Sequence, residues 1–352
     1  MIKSFYYLFL FSLVLAPTAC IEDQNTAPLK FKGYDGNPIL IPGESGEWDE
    51  QMLIAPQVYW HDSIFYLFYS AMNKQGRMAI GLATSLDGIH FSKFEGNPVL
   101  TTGGSGYDAW LVAGAVLLYH DTIWHMYFGA AELIRYGPGQ FIGHATSVSC
   151  ITGPWIKDEK PILTTGSLGE WDGGFIFPAS FVRMADGSYR IYYTGGGDFI
   201  RDVVTLTGMA FSVDGINWKK YNDTATSQHP FAESDPVLSA GDKKAWDSHG
   251  SWFPVVYEIN GSYNMYFTGS TFRNEWQECS IGFATSNDGI RWEQYPDNPV
   301  FSVNDDPFAE AYGNDAIIED SWLVFHDTVC LMYYDYGVKI GKIGVAIAPI
   351  DR

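Results

Sequence analysis

The sequence predicts an all-β protein folded as a five-bladed β-propeller, with four antiparallel strands in each blade. Two observations carry this prediction. An aromatic-Asp pair recurs ahead of a long apolar run at spacings of 59 to 75 residues, and the same order of apolar runs and turns follows each copy. One supersecondary unit repeated around an axis accounts for such a pattern. The five copies end at Asp49, Asp108, Asp172, Asp247 and, in a weaker Asn-Asp version, Asp315.

Within each unit, the apolar run behind the pair predicts the innermost strand. A second, aromatic-rich run ends in a small residue, as in Ile64 to Ala71 and Ile123 to Ala130. A third run follows, and in three units it leads to an Asp-Gly pair, at Asp87, Asp214 and Asp288. Because Asp-Gly favours the positive φ angles of tight turns between strands, a fourth, outer strand is expected after it.

The closing motif of each unit indicates how the ring is sealed. Outer strands end in sequences such as Asn97-Pro98-Val99-Leu100, and a copy at Asn37-Pro38-Ile39-Leu40 precedes the first unit. The last unit, which ends near Ala348, has no such copy. We therefore expect the N-terminal segment to form the outer strand of blade five. This pairing would leave no free sheet edge in that blade.

Residues 1–20 are predicted to be an export signal. Lys3 precedes an apolar stretch from Phe5 to Leu15, and small residues lead to Cys20. Lipid attachment to Cys20 would make a bacterial lipoprotein, most simply of the outer membrane, because Glu22-Asp23 resembles the tags of surface-exported lipoproteins. Ordinary cleavage, giving a periplasmic or secreted protein, is the alternative. The membrane is expected as a partner only through the lipid.

The remainder is predicted to be a tether over 21–30 and a single propeller domain over 31–352. With 41 acidic and 21 basic residues, the formal net charge of −20 does not suit a nucleic-acid backbone as a partner. The cysteines match no zinc pattern and are interpreted as buried inert thiols, with a bridge between Cys279 and Cys330 as the alternative. No metal and no cofactor are expected, apart from a structural calcium ion near the axis, which is left open.

The aspartates of the repeated pair are the main candidates for catalysis. Each precedes an inner strand, so the propeller geometry would place them on one rim around the axis. Like charges in a poorly solvated funnel raise one another's pKa, which would keep one carboxyl protonated as an acid while another acts as a base. The alternative is structural, with each aspartate holding its own blade together.

Candidates for ligand binding lie on the same rim. A basic residue occurs between the second and third strands of every unit, at Arg77, Arg135, Arg201, Arg273 and Lys339. Guanidinium groups suit hydroxyl pairs, carboxylates or phosphate, although they could instead be buried partners of the rim acids. Aromatic, acidic and imidazole candidates are Trp110, Glu132, Phe175, Asp247, His249, Trp252, Glu278, Asp315 and Asp335.

The third strands carry Ala-Thr-Ser, at Ala83, Ala145 and Ala284, and two of them continue into Asp-Gly-Ile. Together with the aromatic-Asp pairs and the tyrosine-rich second strands, this pattern resembles the five-bladed β-propeller glycoside hydrolases, the superfamily that includes families 32, 43, 62, 68, 117 and 130. The resemblance runs from about residue 30 to the end. It implies a carbohydrate partner and the hydrolysis of glycosidic bonds in an oligo- or polysaccharide.

Carried over by position, the resemblance implies that Asp49 is the base or nucleophile and that Asp108 tunes a pKa. A Glu acid is expected in blade three, where this chain has Asp172, and Glu170 and Glu132 are alternatives. Loss of the acid would leave a non-catalytic surface glycan-binding protein. Phosphate held by the rim cations would instead make a glycoside phosphorylase, and both alternatives stay open.

Overall fold

A computed structural model describes residues 27–132, 140–148, 150–197, 204–259, 261–273 and 276–350. The predicted export signal, Cys20, Arg135 and Arg201 lie outside the described residues, and of Arg273 only the backbone is described. Within these ranges the chain forms antiparallel meanders joined by loops, with short helical segments near the C-terminus. The all-β prediction is confirmed.

Each meander is one blade, and the strands follow one another in chain order. The first strand in the chain, β1 (Lys32–Gly33), belongs to blade five. Blade one contains β2 (Met52–His61), β3 (Ile64–Met72), β4 (Met78–Ser85) and β5 (Ser92–Lys93). Blade two contains β6 (Leu111–His120), β7 (Ile123–Ala131), β8 (Phe141–Ser147) and an outer strand in two parts, β9 (Ile156–Lys157) and β10 (Leu163–Thr164), which both pair with β8. Blade three contains β11 (Phe175–Arg183), β12 (Tyr189–Gly196), β13 (Thr205–Ser212) and β14 (Lys219–Lys220).

Blade four contains β15 (Gly250–Ile259), β16 (Ser262–Arg273), β17 (Trp276–Ser286) and β18 (Glu293–Gln294). Blade five contains β19 (Glu319–His326), β20 (Val329–Asp335) and β21 (Ile343–Pro349), and β1 pairs with β21. The helix α1 (Pro307–Tyr312) leads into blade five, and α2 (Gly337–Ile340) joins β20 to β21. The first strand of each blade contacts the first strands of its neighbours, including β19 with β2, so these strands surround a common axis.

The apolar core lies mainly between the blades. Buried clusters combine side chains from adjacent blades, for example Leu82 with Met126, Tyr192 with Met265, and Phe283 with Met332. A further cluster lies at the axis and includes Met52, Leu111 and Phe177. Because each fully buried side chain of this size stabilises the fold by about 1.5 to 3 kcal/mol, the blades depend on one another for stability.

Hydrogen bonds at bulges in the first strands connect adjacent blades. In the described ranges, blades one, two, four and five each have a bulge residue with positive φ, namely Ala55 (51°), Gly114 (70°), Phe253 (47°) and Asp320 (55°). The backbone N–H of each donates to a side chain on the second strand of the preceding blade. These acceptors are Asp335 Oδ2 for Ala55 (2.9 Å), Ser70 Oγ for Gly114 (2.8 Å), Thr194 Oγ1 for Phe253 (2.9 Å) and Thr268 Oγ1 for Asp320 (3.0 Å).

The joint between blades two and three is different. Pro178 occupies the bulge position and has no N–H, while Gly129 occupies the acceptor position and has no side chain. The ring of Phe177 fills the space that results. A Cβ added at Gly129 would lie 2.6 Å from that ring, and one added at Gly114 would lie 2.8 Å from it. At this joint, packing of the Phe177 ring against Gly114 and Gly129 replaces the hydrogen bond found between the other blades.

The Asp-Gly pairs form the predicted tight turns. Gly88, Gly215 and Gly289 have φ values of 75°, 75° and 69°. Tyrosine hydroxyls from adjacent blades donate to the carbonyl oxygens of these glycines, with Tyr333 reaching Gly88 at 2.9 Å and Tyr192 reaching Gly289 at 2.8 Å. The turns thus hold neighbouring blades together at the face opposite the starts of the inner strands.

The outer strands are short and are extended by side-chain amides. Asn97 accepts from the backbone N–H of Leu82 (2.8 Å) and donates to its carbonyl oxygen (2.8 Å), as a strand residue would. Asn298 does the same with Phe283. In blade five, Asn37 takes this position against Val345, at 3.0 Å in both directions. The Asn-Pro motifs therefore continue the outer strands after the two-residue ladders end.

The described cysteines, Cys150, Cys279 and Cys330, are all free thiols. Cys279 and Cys330 are buried, as expected, but Cys150 is exposed, so the expectation of buried thiols is wrong for that residue. The alternative bridge between Cys279 and Cys330 is not formed. Across the described part of the chain, no helix has the length and apolar character needed to cross a membrane.

The contacts of the N-terminal segment give a direct stability test. Leu29 N–H donates to Tyr266 Oη (2.9 Å), and Phe31 and Leu40 are buried against blades four, five and one. We expect deletion of residues 21–28 to leave the melting temperature nearly unchanged. Deletion of 21–41 should lower the free energy of unfolding by at least about 3 kcal/mol, because burial of both side chains is lost. Differential scanning calorimetry of the two truncations checks this, and equal melting temperatures would contradict it.

Candidate functional site

The structure does not bring Asp49, Asp108 and Asp172 together. Each is buried and contacts a lysine on the outer strand of its own blade. The partners are Lys93 for Asp49 (2.6 Å), Lys157 for Asp108 and Lys220 for Asp172 (2.6 Å). In blade four, Gln294 Nε2 donates to Asp247 Oδ2 (2.9 Å). Each of these aspartates thus contacts a partner within its own blade, which is the arrangement expected if it holds that blade together.

The aromatic residue of the aromatic-Asp pair packs on the second strand of its own blade. Trp48 stacks on Tyr69, with ring centroids 6.0 Å apart, and Trp171 stacks on Tyr193 at 5.9 Å. The tyrosines belong to the second strands, so each loop passes over its blade from the inner strand towards the outer one. The repeated aspartate is consequently directed away from the axis.

In blade five, the buried aspartate that corresponds to those of the other four blades is Asp306, not Asp315. Asp306 is fully buried and accepts from Asn37 (2.7 Å), Tyr334 and Tyr336 (3.2 Å). Gly33 of β1 stands where the other blades have lysine or glutamine, and a Cβ there would lie 2.5 Å from Asp306 Oδ2. Asp315 is exposed and pairs with Lys339 (3.0 Å).

The other predicted residues are dispersed. Glu170, an alternative acid, is buried and accepts from the backbone N–H groups of Ala232 (2.9 Å) and Glu233 (3.1 Å). Glu132 is exposed, and His249 is half-buried, with its backbone N–H donating to Ser270. The guanidinium of Arg77 lies 5.3 Å from the ring centroid of the half-buried Trp110.

A cavity of about 250 Å³ lies at the axis, where the inner strands converge. The predicted aromatic residues Phe175 and Trp252 both line it. Its other walls come from every blade and are Ile54, Ala55, Met78, Leu111, Ala113, Phe177, Thr194, Thr205, Phe253, Glu319 and Asp320. Blade five therefore contributes the carboxyl groups of Glu319 and Asp320 to the cavity wall.

Glu319, Asp320 and Asp335 form a carboxyl cluster at this edge of the cavity, in which Asp320 and Asp335 are buried and Glu319 is half-buried. Glu319 and Asp335 are directly opposed on β19 and β20. Asp335 Oδ2 accepts from Ala55 N–H (2.9 Å) and its Oδ1 accepts from Gly337 N–H (2.8 Å). Asp320 Oδ1 is buried and has no hydrogen-bond partner among the described residues.

Burial raises the pKa of all three carboxyls. The pKa of Asp335 is raised to about 7 by burial, while the N–H groups of Ala55 and Gly337 act in the opposite direction. Burial, followed by the charges of Asp335 and Glu319, raises the pKa of Asp320 well above its usual range. The pKa of Glu319 is raised in the same way, by burial and then by Asp335.

The hydrogen bonds indicate where a shared proton resides. Asp335 receives two backbone N–H donors, which favour its ionised form, and its charge adds to burial in raising the pKa of Asp320. The protonated form is therefore favoured at Asp320 over Asp335. The cavity is thus lined by a carboxyl whose pKa is raised and whose buried Oδ1 has no partner among the described residues.

Sequence reasoning found part of this cluster. Asp335 was expected at the rim, and comparison of the second strands shows that it replaces the hydroxyl residues Ser70, Thr194 and Thr268. Glu319 and Asp320 were not identified, because no aromatic-Asp pair precedes them. Two consecutive acidic residues at the start of an inner strand are the sequence feature that could have identified Glu319 and Asp320.

A larger cleft of about 680 Å³ lies outside the axis, between blade four and α1. Trp246, Gln277, Glu278 and Glu310 are among its walls. The carboxyl cluster of blade five does not line this cleft. The axial cavity is therefore the better candidate for an active site. In the described ranges, no group of three or more His, Cys, Asp or Glu side chains is arranged to hold a metal ion.

Comparisons with known proteins agree with this architecture. No family model matches the chain. A probable arabinan endo-1,5-alpha-L-arabinosidase C of Aspergillus niger is 25% identical over 134 residues, which is 37% of this chain and 42% of that relative. The chain thus matches less than half the length of this curated relative.

Solved structures match over nearly the whole chain. One, described as a complex of BT0996 with RGII, has a TM-score of 0.68 and 15% identity, covering 93% of this chain and 92% of the other. Another, from a study of family 130 mannoside phosphorylases and of glycoside hydrolases that target β-1,2-mannosidic linkages in Candida mannan, has a TM-score of 0.65 and 21% identity, covering 93% and 99%. The chain therefore has the five-bladed β-propeller fold of these glycoside hydrolases.

The role of the repeated aspartates can be tested at Asp172. The Asp172→Asn variant leaves the largely buried Lys220 without its carboxylate, so we expect a loss of about 3 to 5 kcal/mol in the free energy of unfolding. Asp315→Asn is the matched control, because its ion pair is exposed and should contribute about 0 to 1 kcal/mol. Denaturant titration measures both. Equal stabilities would contradict a blade-holding role for Asp172.

Proposed function

We propose that the protein is a glycoside hydrolase that acts on an oligo- or polysaccharide through the carboxyl cluster of blade five. The observation that carries the proposal is the buried, unpartnered Oδ1 of Asp320 at the wall of the axial cavity. The propeller fold shared with glycoside hydrolases supports a carbohydrate as the ligand. The arabinosidase relative supports a polysaccharide, although it matches only part of this chain.

In this proposal Asp320 is the general acid. Burial and the neighbouring acids raise its pKa and so favour the protonated form. With the proton on Oδ1, which has no partner among the described residues, this carboxyl can donate to the oxygen of the leaving group. Asp335 is a positioning residue, because its oxygens are held by the N–H groups of Ala55 and Gly337. It stabilises the proton on Asp320 in the free enzyme.

Glu319 is the proposed partner of the acid. It also lines the cavity, and it is half-buried rather than fully enclosed. Once ionised, it can accept a proton from water or attack the anomeric carbon. Hydrolysis by a pair of carboxyl groups requires one protonated and one ionised member, so Glu319 must lose its proton for the pair to act, against burial and the Asp335 charge, which raise its pKa. The assignment of Asp49, Asp108 and Asp172 to catalysis is the alternative that the tests below separate from this one.

Glycan binding without hydrolysis is the second candidate function. The inner strands of blades one to three place Ala55, Ala113 and Phe177 at the cavity, where the resemblance to propeller glycosidases led us to expect acids. A cavity with acids from only one blade can bind a sugar without cleaving it. A screen of plant and algal oligosaccharides, with released sugar measured beside retardation in affinity electrophoresis, distinguishes the two functions.

The acid assignment predicts opposite effects on activity and stability. Each raised carboxyl pKa gives stability that is fully present below the unfolded-state pKa of about 4 and is lost as the pH rises through the folded value, about 7 for Asp335. Asp320→Asn removes one of the interacting carboxyls. We therefore expect hydrolysis to fall at least about 100-fold, while the melting temperature rises, more at pH 8 than at pH 5.

Asp172→Asn is the matched control for this test. It should lower stability and leave the rate per folded molecule within about threefold of wild type, because Asp172 lies outside the cavity. Steady-state hydrolysis and calorimetry at both pH values supply the measurements. Full activity in Asp320→Asn, or loss of activity in folded Asp172→Asn, would reject blade five as the catalytic centre.

We also propose that the protein is exported and anchored by lipid at Cys20, most simply in the outer membrane. Support comes from the sequence, where Lys3, the apolar run from Phe5 to Leu15 and the small residues before Cys20 have the order of a lipoprotein signal. Cys20→Ala should move the protein from the membrane fraction to the soluble fraction. Unchanged membrane recovery of this variant would contradict the anchor.

A further inference from the structure

The walls of the axial cavity divide into two regions. The acids lie on blade five, whereas Leu111 and Phe177 belong to blades two and three, across the axis. Phe177 leans over Gly114 and Gly129 of blade two, so its ring occupies the side remote from the acids. Phe177 and Leu111 are almost completely buried, and Met78, which is also buried, lies next to them in the axial cluster.

Polar side chains line the cavity at Thr194, Thr205, Glu319 and Asp320. Thr194 Oγ1 already accepts from Phe253 N–H (2.9 Å), and both Asp335 oxygens accept from backbone N–H groups. The buried Asp320 Oδ1, at the blade-five end, has no partner among the described residues. A ligand hydroxyl can therefore be satisfied beside the acids, but one directed at Phe177, Leu111 and Met78 would be buried against carbon.

The size of the cavity also restricts the ligand. Its volume of about 250 Å³ lies below the range of about 300 to 1,000 Å³ that is typical of sites for drug-sized molecules. A single sugar ring fits this volume better than several linked rings. With the anomeric carbon beside Asp320, the far end of a pyranose is C4, flanked by C3 and C5, so the ring can be turned to place C5 and its C6 substituent against the apolar wall.

We propose that the axial cavity selects a terminal 6-deoxyhexose, whose C6 methyl group packs against Met78, Leu111 and Phe177. This inference rests on the proposed function, because it orients the sugar by its reacting end. An apolar pocket discriminates against an added hydroxyl by up to about 100-fold. We therefore expect the 6-deoxy sugar to bind about tenfold to 100-fold more tightly than the same sugar with a 6-hydroxyl group.

Isothermal titration calorimetry on the wild-type protein tests this preference without requiring turnover. The probes are both anomers of two matched pairs, methyl L-fucopyranoside against methyl L-galactopyranoside and methyl L-rhamnopyranoside against methyl L-mannopyranoside. The expected result is a preference of about tenfold or more for the deoxy member of at least one pair. Equal affinities, tighter binding of the hydroxylated members, or no binding by any probe up to its solubility limit would overturn the proposal.

A wall variant links any preference to this cavity. Met78→Gln keeps the length of the side chain and places an amide at the apolar wall, so we expect the preference to shrink to about threefold or less. Met184→Gln is the matched control, because Met184 lies against Tyr263 between blades three and four, outside the cavity walls. An unchanged preference in Met78→Gln would overturn the assignment of the methyl site. If Asp320→Asn kept full activity, the catalytic proposal would fail while this binding result would still be measurable.

Discussion

The ring depends on one repeated interaction, in which a side chain on the second strand of a blade accepts the bulge N–H of the next blade. A buried N–H without a partner is costly, so every blade that has a bulge donor requires an acceptor from its neighbour. Ser70, Thr194 and Thr268 supply it as hydroxyls. Between blades two and three the donor and the acceptor are absent together, at Pro178 and Gly129. The paired absence shows that the two positions act as one unit.

The same geometry explains why the acids gather in blade five. Asp335 meets the structural requirement of its joint by accepting from Ala55, and it does so as a carboxylate instead of a hydroxyl. Its charge acts on Asp320 and Glu319 across the β19–β20 pair. A position that is structural in other blades has thus gained an electrostatic role. Buried ionised carboxyls that lack enough hydrogen-bond donors or cations destabilise the folded state. The acid cluster of blade five therefore lowers the stability of the protein.

Sequence periodicity was sufficient for the fold because it depends on residue type and order. The four strands per blade, the Asp-Gly turns and the outer position of the Asn-Pro motifs follow from alternation and turn chemistry alone. The site required the direction of each side chain, which the pattern does not contain. Asp49 and Asp172 precede inner strands as expected, yet they turn outward to Lys93 and Lys220. Asp306 escaped detection because its partners, Tyr334 and Tyr336, lie nearly thirty residues further along the chain.

The short outer strands affect how the molecule meets other copies of itself. A long exposed strand invites edge-to-edge pairing with another chain. Here strands such as β5 and β18 span two residues, and then the amides of Asn97 and Asn298 occupy the next ladder positions. An approaching strand would find only an interrupted set of backbone donors and acceptors at these perimeters. Together with the mutual repulsion of molecules carrying a formal charge of −20, this interruption favours colloidal stability at high local concentration.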